Sequence, residues 1–373
     1  MIWVGKQKYM PTLLYLGAQG YYSIRTYAIL PPKNEKLLVP LTDSRLARIG
    51  LTFYTPGKWH NRLATKVAKV LSAAGFQNVL GFKKVIVARK LGELPQNAYF
   101  LPLLARQMRC QVVDATVHSG WRNLSIQLLD KQASPLGIAK IADMKLGSLA
   151  IESETRALAR LAQVAEMQSY VPRLLTSGEW HGQSFQVQDV VSHNATTNIT
   201  KLTPAHIKFL AVLTGIDRCK MTLEQWPRWP EIWRWAHEAQ FSSREQGEAV
   251  RETANLCAQR LLRKELLFHR VHGDFAPWNV FLGSRGLRVV DWQNSEPYGL
   301  PFYDAAYFNL CSTGLIGLQK PLPIARILHD PLTLLGVTGR LRPLLGHLEQ
   351  PEDFFKLVAL VCVEYISHIV EGT

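Results

Sequence analysis

Three polar side chains interrupt and follow an otherwise apolar run near residue 280. The stretch VHGDFAPWNVFL, residues 271–282, places Asp274 and Asn279 five residues apart, and Asp291 follows twelve residues after Asn279. Buried carboxylates are usually paired, exposed to water or bound to a metal. The segment NVFL–GSRG–LRVVDWQ has the pattern of a hairpin with Asn279 and Asp291 at its two open ends. The pattern therefore predicts that these two side chains converge.

An amide oxygen and a carboxylate held in this way form a hard oxygen site suited to Mg²⁺, which keeps several waters and also binds substrate phosphates. Asp274, on the other side of the loop, is then available to accept a proton from an attacking hydroxyl. Phosphoryl transfer requires this combination of positioning, metal ion and one weak base. The simpler alternative is that the three residues only form polar turns.

The order of these residues resembles a known motif. HGDFAPWN, followed by a hairpin and DWQ, resembles the catalytic loop and metal motif of the aminoglycoside phosphotransferase and choline kinase-like family, which are small-molecule kinases with a protein-kinase-like fold. Protein kinases share the Asp-x4-Asn spacing, but they carry Arg at the position of Gly273 and DFG in place of DWQ. The segment GLPFYDAAYF, with Asp304 near the start of a helix, also resembles the small-molecule branch. The resemblance covers roughly residues 110–310.

The resemblance implies ATP and Mg²⁺ as cofactors, with Asp274 as the catalytic residue and Asn279 and Asp291 as metal ligands. It implies an α+β, two-lobed fold with a small antiparallel β N-lobe and a mostly helical C-lobe. It also requires a lysine on an N-lobe strand and a carboxylate on the next helix. Lys140 in GIAKIA and Glu154 in SETRALARLA are the first choices.

Three further assignments follow from the resemblance, with their alternatives. Glu152 could replace Glu154 if the helix phase is shifted, and Lys145 is a weaker alternative to Lys140. The phosphate loop would be HSGWRN with Gly120. The adenine hinge would use backbone groups near Asp189 and Val191. Two other features are expected to be structural: His272 inside the loop, and the tryptophan-rich segment WPRWPEIWRW.

The charge distribution indicates a separate N-terminal segment. Residues 1–100 contain 15 Lys and Arg against three acids, which leaves about +2 of the net charge of +14 for the remaining 273 residues. We therefore predict a basic α+β extension at 1–100, a nucleotide-binding N-lobe at 101–192, and a helical C-lobe with the catalytic loop and acceptor site at 193–373.

The extension contains two predicted strands in SIRTYAILPPKNEKLLVPL, a helix in WHNRLATKVAKVLSAAGF that ends at Gly75, and a strand in VLGFKKVIVARK. The helix has a basic face of Arg62, Lys66 and Lys69. Its apolar stripe consists of Leu63, Val67, Val70, Leu71 and Ala74. The basic face could meet an anionic surface, either membrane or nucleic acid, or it could simply face water.

Composition excludes several classes of protein. A chain with 47% hydrophobic and 19% charged residues is globular, and its five scattered cysteines favour neither a disulfide framework nor a zinc site. No signal peptide is evident, and the apolar stretch FFKLVALVCVEYISHIV carries Lys356 and Glu364, which favours a packed helix over a membrane span. A cytoplasmic protein is expected, with peripheral membrane contact as a variant. No obligate protein partner is evident.

The acceptor is a small molecule with a hydroxyl group. Residues 305–348, which the family resemblance places near the acceptor, contain one acid, Asp330, against Lys320, Arg326, Arg340 and Arg342. A polycation needs carboxylates around it, so this charge balance favours a neutral or anionic, sugar-like acceptor. The alternative from another functional class is a catalytically idle nucleotide-binding or scaffolding module that docks on membrane or nucleic acid through the extension.

Overall fold

The computed structural model divides the chain into two compact units. Unit 1 comprises residues 1–155 and 173–193, and unit 2 comprises residues 156–172 and 194–373. The residues that the structure describes are 2–5, 21–30, 37–53, 59–76, 84–90, 100–119, 123–142, 145–191, 201–284, 286–312, 324–329 and 351–371. Strands and helices together confirm the predicted α+β class. The predicted domain boundaries stay predictions.

Unit 1 is built on a nine-stranded sheet in which every neighbouring pair is antiparallel. The strand order is β1-β4-β2-β3-β5-β6-β7-β9-β8. The strands are β1 (Ile2–Gly5), β2 (Tyr21–Leu30), β3 (Leu37–Pro40), β4 (Lys84–Lys90), β5 (Asp114–Ser119), β6 (Asn123–Leu129), β7 (Pro135–Ala142), β8 (Leu174–Trp180) and β9 (Gln183–Gln188). The predicted strands of the N-terminal segment and of the N-lobe are confirmed. They belong to one continuous sheet.

Among the residues that the structure describes, four helices accompany this sheet. They are α1 (Ser44–Gly50), α2 (Trp59–Ala73), α3 (Phe100–Gln107) and α4 (Lys145–Ala162), and the division between the units falls within α4. Phe100 and Leu104 of α3 enter a core that the inner faces of β5, β6, β7 and β9 complete. Alternating apolar residues on the strands supply that face, as expected for a sheet with one side buried.

The basic segment, residues 1–100, makes direct contacts with the strands that follow it in unit 1. Leu37 of β3 pairs with His118 of β5. The buried Tyr27 hydroxyl donates to an Asp114 carboxylate oxygen at 2.6 Å. Burial and the neighbouring Asp114 charge raise the pKa of Tyr27, so its hydroxyl keeps the proton that it donates. The segment thus shares sheet, core and a buried hydrogen bond with the strands that follow.

Helix α2 shows which face the sequence pattern assigned incorrectly. An apolar stripe normally faces a protein core, but Leu63, Val67 and Val70 are exposed. The face that packs contains the small residues Ala68 and Ser72, and Ala68 contacts a core cluster contributed by β3 and α1. Small residues allow the helix to approach closely. Of the apolar stripe, Leu71 packs against the same cluster, whereas Leu63, Val67 and Val70 stay outside.

Unit 2 is mostly helical and contains two small sheets. The helices are α5 (Pro204–Leu213), α6 (Trp229–Glu238), α7 (Arg244–Leu261), α8 (Tyr303–Ser312), α9 (Ile324–His329) and α10 (Pro351–Glu371). The strands are β10 (Cys219–Thr222), β11 (Glu265–Val271), β12 (Val280–Gly283), β13 (Gly286–Val289) and β14 (Glu296–Gly299), with the orders β10-β11-β14 and β12-β13.

Helix α10 packs against α6, α7, α8 and α9, which confirms the interpretation of the apolar C-terminal stretch as a packed helix. Its Glu364 is buried and receives a hydrogen bond from Arg228 at 2.7 Å. Among the described residues, no helix is long and apolar enough to cross a membrane.

One predicted helix extends too far. The sequence pattern by itself predicts one long helix over about 245–267, but α7 ends at Leu261 and Glu265 begins strand β11. Leu266 and Leu267 pair with Met221 and Lys220 of β10. A distant strand therefore decides the local conformation, which a local pattern cannot show.

Replacing Tyr27 by Phe tests the connection between the basic segment and the sheet. The change removes only the hydroxyl and leaves the buried Asp114 carboxylate without one donor, so we expect a loss of stability of about 1–2 kcal/mol. The measurement is urea unfolding followed by circular dichroism. Tyr298→Phe, at an exposed tyrosine, is the matched control and should change little. Equal midpoints for both variants would contradict this account.

Candidate active site

The loop after β11 is anchored by a buried carboxylate. Asp304, in the first turn of α8, accepts the backbone N–H of His272 at 2.8 Å and that of Gly273 at 3.1 Å. Burial raises the pKa of Asp304 to about 7, while the two N–H bonds favour its charged form. Two donors on one carboxylate fix the backbone just before Asp274.

Gly273 is required by the shape of this anchor. Its φ is +85°, and a Cβ atom at this position would collide with the backbone carbonyl of Asn294. The Tyr303 hydroxyl donates to the Gly273 carbonyl at 3.3 Å. A side chain here would be strained and would have no space. The glycine that distinguishes this loop from the protein-kinase motif therefore has a steric cause.

His272 lies inside the loop, as expected. The Asp274 N–H donates to His272 Nδ1 at 3.2 Å, and His272 Nε2 lies 3.0 Å from the Val290 carbonyl. An Nδ1 that accepts and an Nε2 that donates define the neutral Nε2–H tautomer. The fully buried ring packs edge-on against Trp292, with centroids 4.6 Å apart. His272 thus ties the loop to the end of β13.

Asp274 is held by two neighbours. Asn279 Nδ2 donates to the Asp274 side chain and to its backbone carbonyl, both at 3.0 Å. Tyr307 of α8 also hydrogen-bonds the carboxyl group. Burial, followed by the nearby Asp291 charge, raises the pKa of Asp274 to about 7. The effect of Asp291 indicates that the two carboxyl groups are near each other.

The predicted hairpin is confirmed, and it brings Asn279 close to Asp291 in the chain register. Val280 to Gly283 pair with Val289 to Gly286. The Val290 N–H donates to the Asn279 carbonyl at 3.0 Å, one residue before Asp291. Asp291 itself adopts a left-handed backbone conformation, with φ +68°, at the start of a 3-10 helix over Trp292–Asn294. This conformation ends the strand abruptly and turns the chain at the carboxylate.

The donor atoms fit a magnesium ion. The Asn279 amide nitrogen donates to Asp274, so the Asn279 Oδ1 atom is the one suited to bind a cation. Together with the Asp291 carboxylate it offers hard oxygen donors, which Mg²⁺ prefers and which it supplements with water and phosphate oxygens.

Unit 1 contains the predicted lysine–carboxylate pair. Lys140 Nζ lies 2.9 and 2.7 Å from the two Glu154 oxygens, and both residues are buried. Gln186 Nε2 donates to the same carboxylate at 2.5 Å. Glu152 is exposed and accepts instead from Ser184 at 3.0 Å. Of the two glutamates that the sequence offered as partners of Lys140, Glu154 therefore makes the contact.

The other residues predicted to bind nucleotide lie in different parts of unit 1. Asp189, just after β9, accepts the Arg173 N–H at 2.8 Å and supports the start of β8. Val191 follows it and is partly buried. Lys145 is the first residue of α4 and lies outside β7. Gly120 lies outside the described residues.

Sequence reasoning missed the supporting role of α8. Asp304 anchors the loop backbone, and Tyr307 contacts Asp274. The spacing of three residues in YDAAYF places both on one helix face, and this was the available signal. The tryptophan-rich segment is structural as expected, since Trp226, Trp229 and Trp235 are buried.

Comparison with protein-family models matches residues 114–330 to the phosphotransferase enzyme family, APH. This match spans more than half of the 373 residues. The chain belongs to this family and is a phosphotransferase with the protein-kinase-like fold that the motif predicted. A comparison with curated proteins found no match.

Solved structures with a similar fold include a thermostable mutant of aminoglycoside phosphotransferase APH(4)-Ia, at 14% identity over 73% of this chain and 92% of that chain, with a TM-score of 0.45. Aminoglycoside phosphotransferase APH(2'')-Ib in its ADP-bound form matches at 12% identity over 73% and 99%, with a TM-score of 0.41. Choline kinase LicA from Streptococcus pneumoniae matches at 15% identity over 71% and 98%, with a TM-score of 0.40.

The two candidate glutamates provide a matched test of the pair in unit 1. Glu154→Gln keeps the side-chain shape but removes the charge opposite a buried ammonium, so we expect unit 1 to lose about 3 kcal/mol of stability. Glu152→Gln changes an exposed residue and should shift stability by less than about 0.5 kcal/mol. Urea unfolding of both variants measures the difference. An equal loss of stability in the two variants would show that the buried ion pair contributes no more than an exposed glutamate.

Proposed function

We propose that this protein transfers the γ-phosphate of ATP, in a Mg²⁺-dependent reaction, to a hydroxyl group of a small molecule. The observation that carries the proposal is the arrangement of Asp274, Asn279 and Asp291. The Asn279 amide donates to the Asp274 carboxylate, and the hairpin register brings Asn279 close to Asp291. Phosphoryl transfer needs little covalent chemistry from the protein but requires charges held in fixed positions.

Asp274 acts as the base in this proposal. Its carboxyl group is held by Asn279 and Tyr307, so it can orient the acceptor hydroxyl and receive its proton as the oxygen attacks phosphorus. The loop backbone beneath it is fixed by Asp304 through His272 and Gly273. A base that does not move keeps the attacking oxygen in line with the leaving group.

Asn279 and Asp291 hold the magnesium ion. When bound, the ion neutralises charge on the phosphate oxygens during transfer. Asn279 has two tasks, since its amide nitrogen positions Asp274 while its oxygen is left for the ion. The base and the metal ligands are therefore coupled through one side chain.

Lys140 holds the α- and β-phosphates, and Glu154 orients its ammonium. The pair is buried and bidentate, and Gln186 Nε2 also donates to the carboxylate. Backbone groups near Asp189 and Val191 would bind adenine, and the loop with Gly120 would cover the phosphates. These assignments rest on the family motif.

The acceptor is proposed to be neutral or anionic and sugar-like. The sequence from 305 to 348 carries one acid and four Lys and Arg, a poor environment for a polycation. Trp278, between Asp274 and Asn279 in sequence order, is 54% exposed. An exposed aromatic ring in the catalytic loop offers an apolar face on which a sugar ring can stack.

Two aspartate variants separate the proposed roles. Asp291→Asn removes a charged metal ligand, so both turnover and Mg·ATP affinity should fall. Asp274→Asn removes the base, so kcat should fall by about 100-fold or more while Mg·ATP affinity stays near that of the wild type. Steady-state kinetics and isothermal titration with a non-hydrolysable ATP analogue measure the two effects.

Equal losses of nucleotide affinity in both variants would contradict this division of roles. The wild-type protein could also bind Mg·ATP and yet transfer phosphate neither to any acceptor nor to water. That result would favour the idle nucleotide-binding module instead.

A substrate panel tests the acceptor class. Neutral sugars, sugar phosphates, amino alcohols, nucleosides and aminoglycosides are offered with Mg·ATP, and kcat/KM is compared. We expect neutral or anionic sugar-like acceptors to be preferred, because a polycation would be left without carboxylate partners. Efficient phosphorylation of an aminoglycoside at low KM would overturn the charge argument.

The same panel, repeated with Trp278→Ala and Trp278→Phe, tests the stacking. The alanine variant should raise KM for the preferred acceptor and leave KM for ATP unchanged, and the phenylalanine variant should restore most of the affinity.

A further inference from the structure

Helix α2 exposes a row of aliphatic side chains. Leu63, Val67 and Val70 are 54%, 51% and 68% exposed, and Phe76 just beyond the helix is 55% exposed. The first three recur at intervals of four and three residues, so they form one stripe along the helix. A contiguous exposed apolar stripe commonly marks a docking surface.

Basic residues flank this stripe. Lys66 is exposed and lies one turn before Val70 on the helix. Between Asp43 and Glu93 the sequence carries ten Lys and Arg and no acid at all. The segment that contains α2 thus combines exposed aliphatic side chains with an excess of basic residues.

We propose that α2 docks on the surface of a bilayer that contains anionic phospholipids. The axis of the helix lies along the membrane plane. Leu63, Val67 and Val70 enter the boundary between headgroups and acyl chains, and Lys66 contacts lipid phosphates. Amphipathic helices with this combination bind membranes through buried apolar area together with attraction to anionic lipid.

Two other occupants fit the surface less well. Nucleic acid binds basic side chains through its phosphates, but it has no use for an aliphatic stripe that runs along a helix. A second copy of this chain would bring two strongly basic segments together, and like charges at an interface oppose association. An anionic bilayer satisfies both the apolar and the basic part of the surface.

The opposite face of α2 explains how the helix can dock without unfolding. Ala68 and Ser72 are buried, and Ala68 belongs to a core cluster with Ala47 of α1, Leu51 just after α1 and Val39 of β3. The helix therefore presents its stripe as a preformed element, so no ordering entropy opposes binding.

The test is co-sedimentation of the full-length protein with vesicles of phosphatidylcholine, alone or with about one quarter phosphatidylserine, a lipid whose charge attracts Lys and Arg. We expect binding to the anionic vesicles at low salt, weaker binding to the neutral vesicles, and loss of binding as salt rises. Val67→Ser/Val70→Ser should weaken binding by about tenfold or more, since each removes buried apolar area. Lys66→Glu should weaken it mainly at low salt.

Leu63 and Leu149 form a matched control pair. Both are leucines of unit 1 helices, and both are 54% exposed. Leu63→Ser should weaken vesicle binding, and Leu149→Ser should leave it unchanged. Because Leu63, Lys66, Val67, Val70 and Leu149 are all exposed, every variant should keep the melting temperature of the wild type.

Several results would overturn the proposal. These are a lack of binding to anionic vesicles at low salt, equal effects of Leu63→Ser and Leu149→Ser, or a solution dimer that Val67→Ser/Val70→Ser dissociates with no binding to lipid. Binding to an oligonucleotide that depends on Lys66 but not on Val67 and Val70 would assign the surface to nucleic acid. None of these readouts depends on phosphate transfer, so they stand apart from the proposed function.

Discussion

The catalytic half of this protein depends on one buried carboxylate. Asp304 receives two backbone N–H groups from the loop that follows β11, and these bonds compensate for much of the free energy lost when a charge leaves water. Because both donors belong to consecutive residues, the backbone can take only one path between them. That path needs a positive φ at Gly273, and it aims Asp274 toward Asn279.

The lysine in unit 1 follows the same physical rule. Lys140 is buried, so its charge needs partners, and Glu154 supplies both carboxylate oxygens while Gln186 supports that carboxylate. Neither buried charge is expected to add much net stability, since desolvation offsets attraction. Their value is positional, because a buried and fully bonded charge has a single favourable arrangement. In unit 2 the buried Asp304 fixes the loop that carries Asp274, and in unit 1 the buried Glu154 fixes Lys140. Asp274 and Lys140 are the groups proposed to meet substrate.

The sequence predicted the parts of the fold that rest on local pattern or on motif. The hairpin between Asn279 and Asp291, the C-terminal packed helix and most strands follow from alternation, turn residues and apolar runs. The end of α7 could not be predicted, because the residues Glu265, Leu266 and Leu267 are compatible with either helix or strand, and pairing with β10 decides between them. The stripe of α2 did not indicate which of its side chains pack, since Leu71 contacts the core cluster together with Ala68 whereas Leu63, Val67 and Val70 are exposed. Glu154 and Glu152 differ by only two positions, so the choice needed the helix phase, which only tertiary packing defines.

The pairing of β3 with β5 also bears on how the chain is made. A ribosome delivers the basic segment first, but β3 obtains its second neighbour only after β5 has been synthesised. Until then its outer edge presents unpaired N–H and C=O groups, which is the kind of strand edge that recruits other chains. In the folded protein the same pairing has the reverse effect, because β3 covers an edge of β5 that would otherwise be open. While that edge is still bare, the positive charge of the segment opposes such pairing between nascent chains, because like charges repel one another.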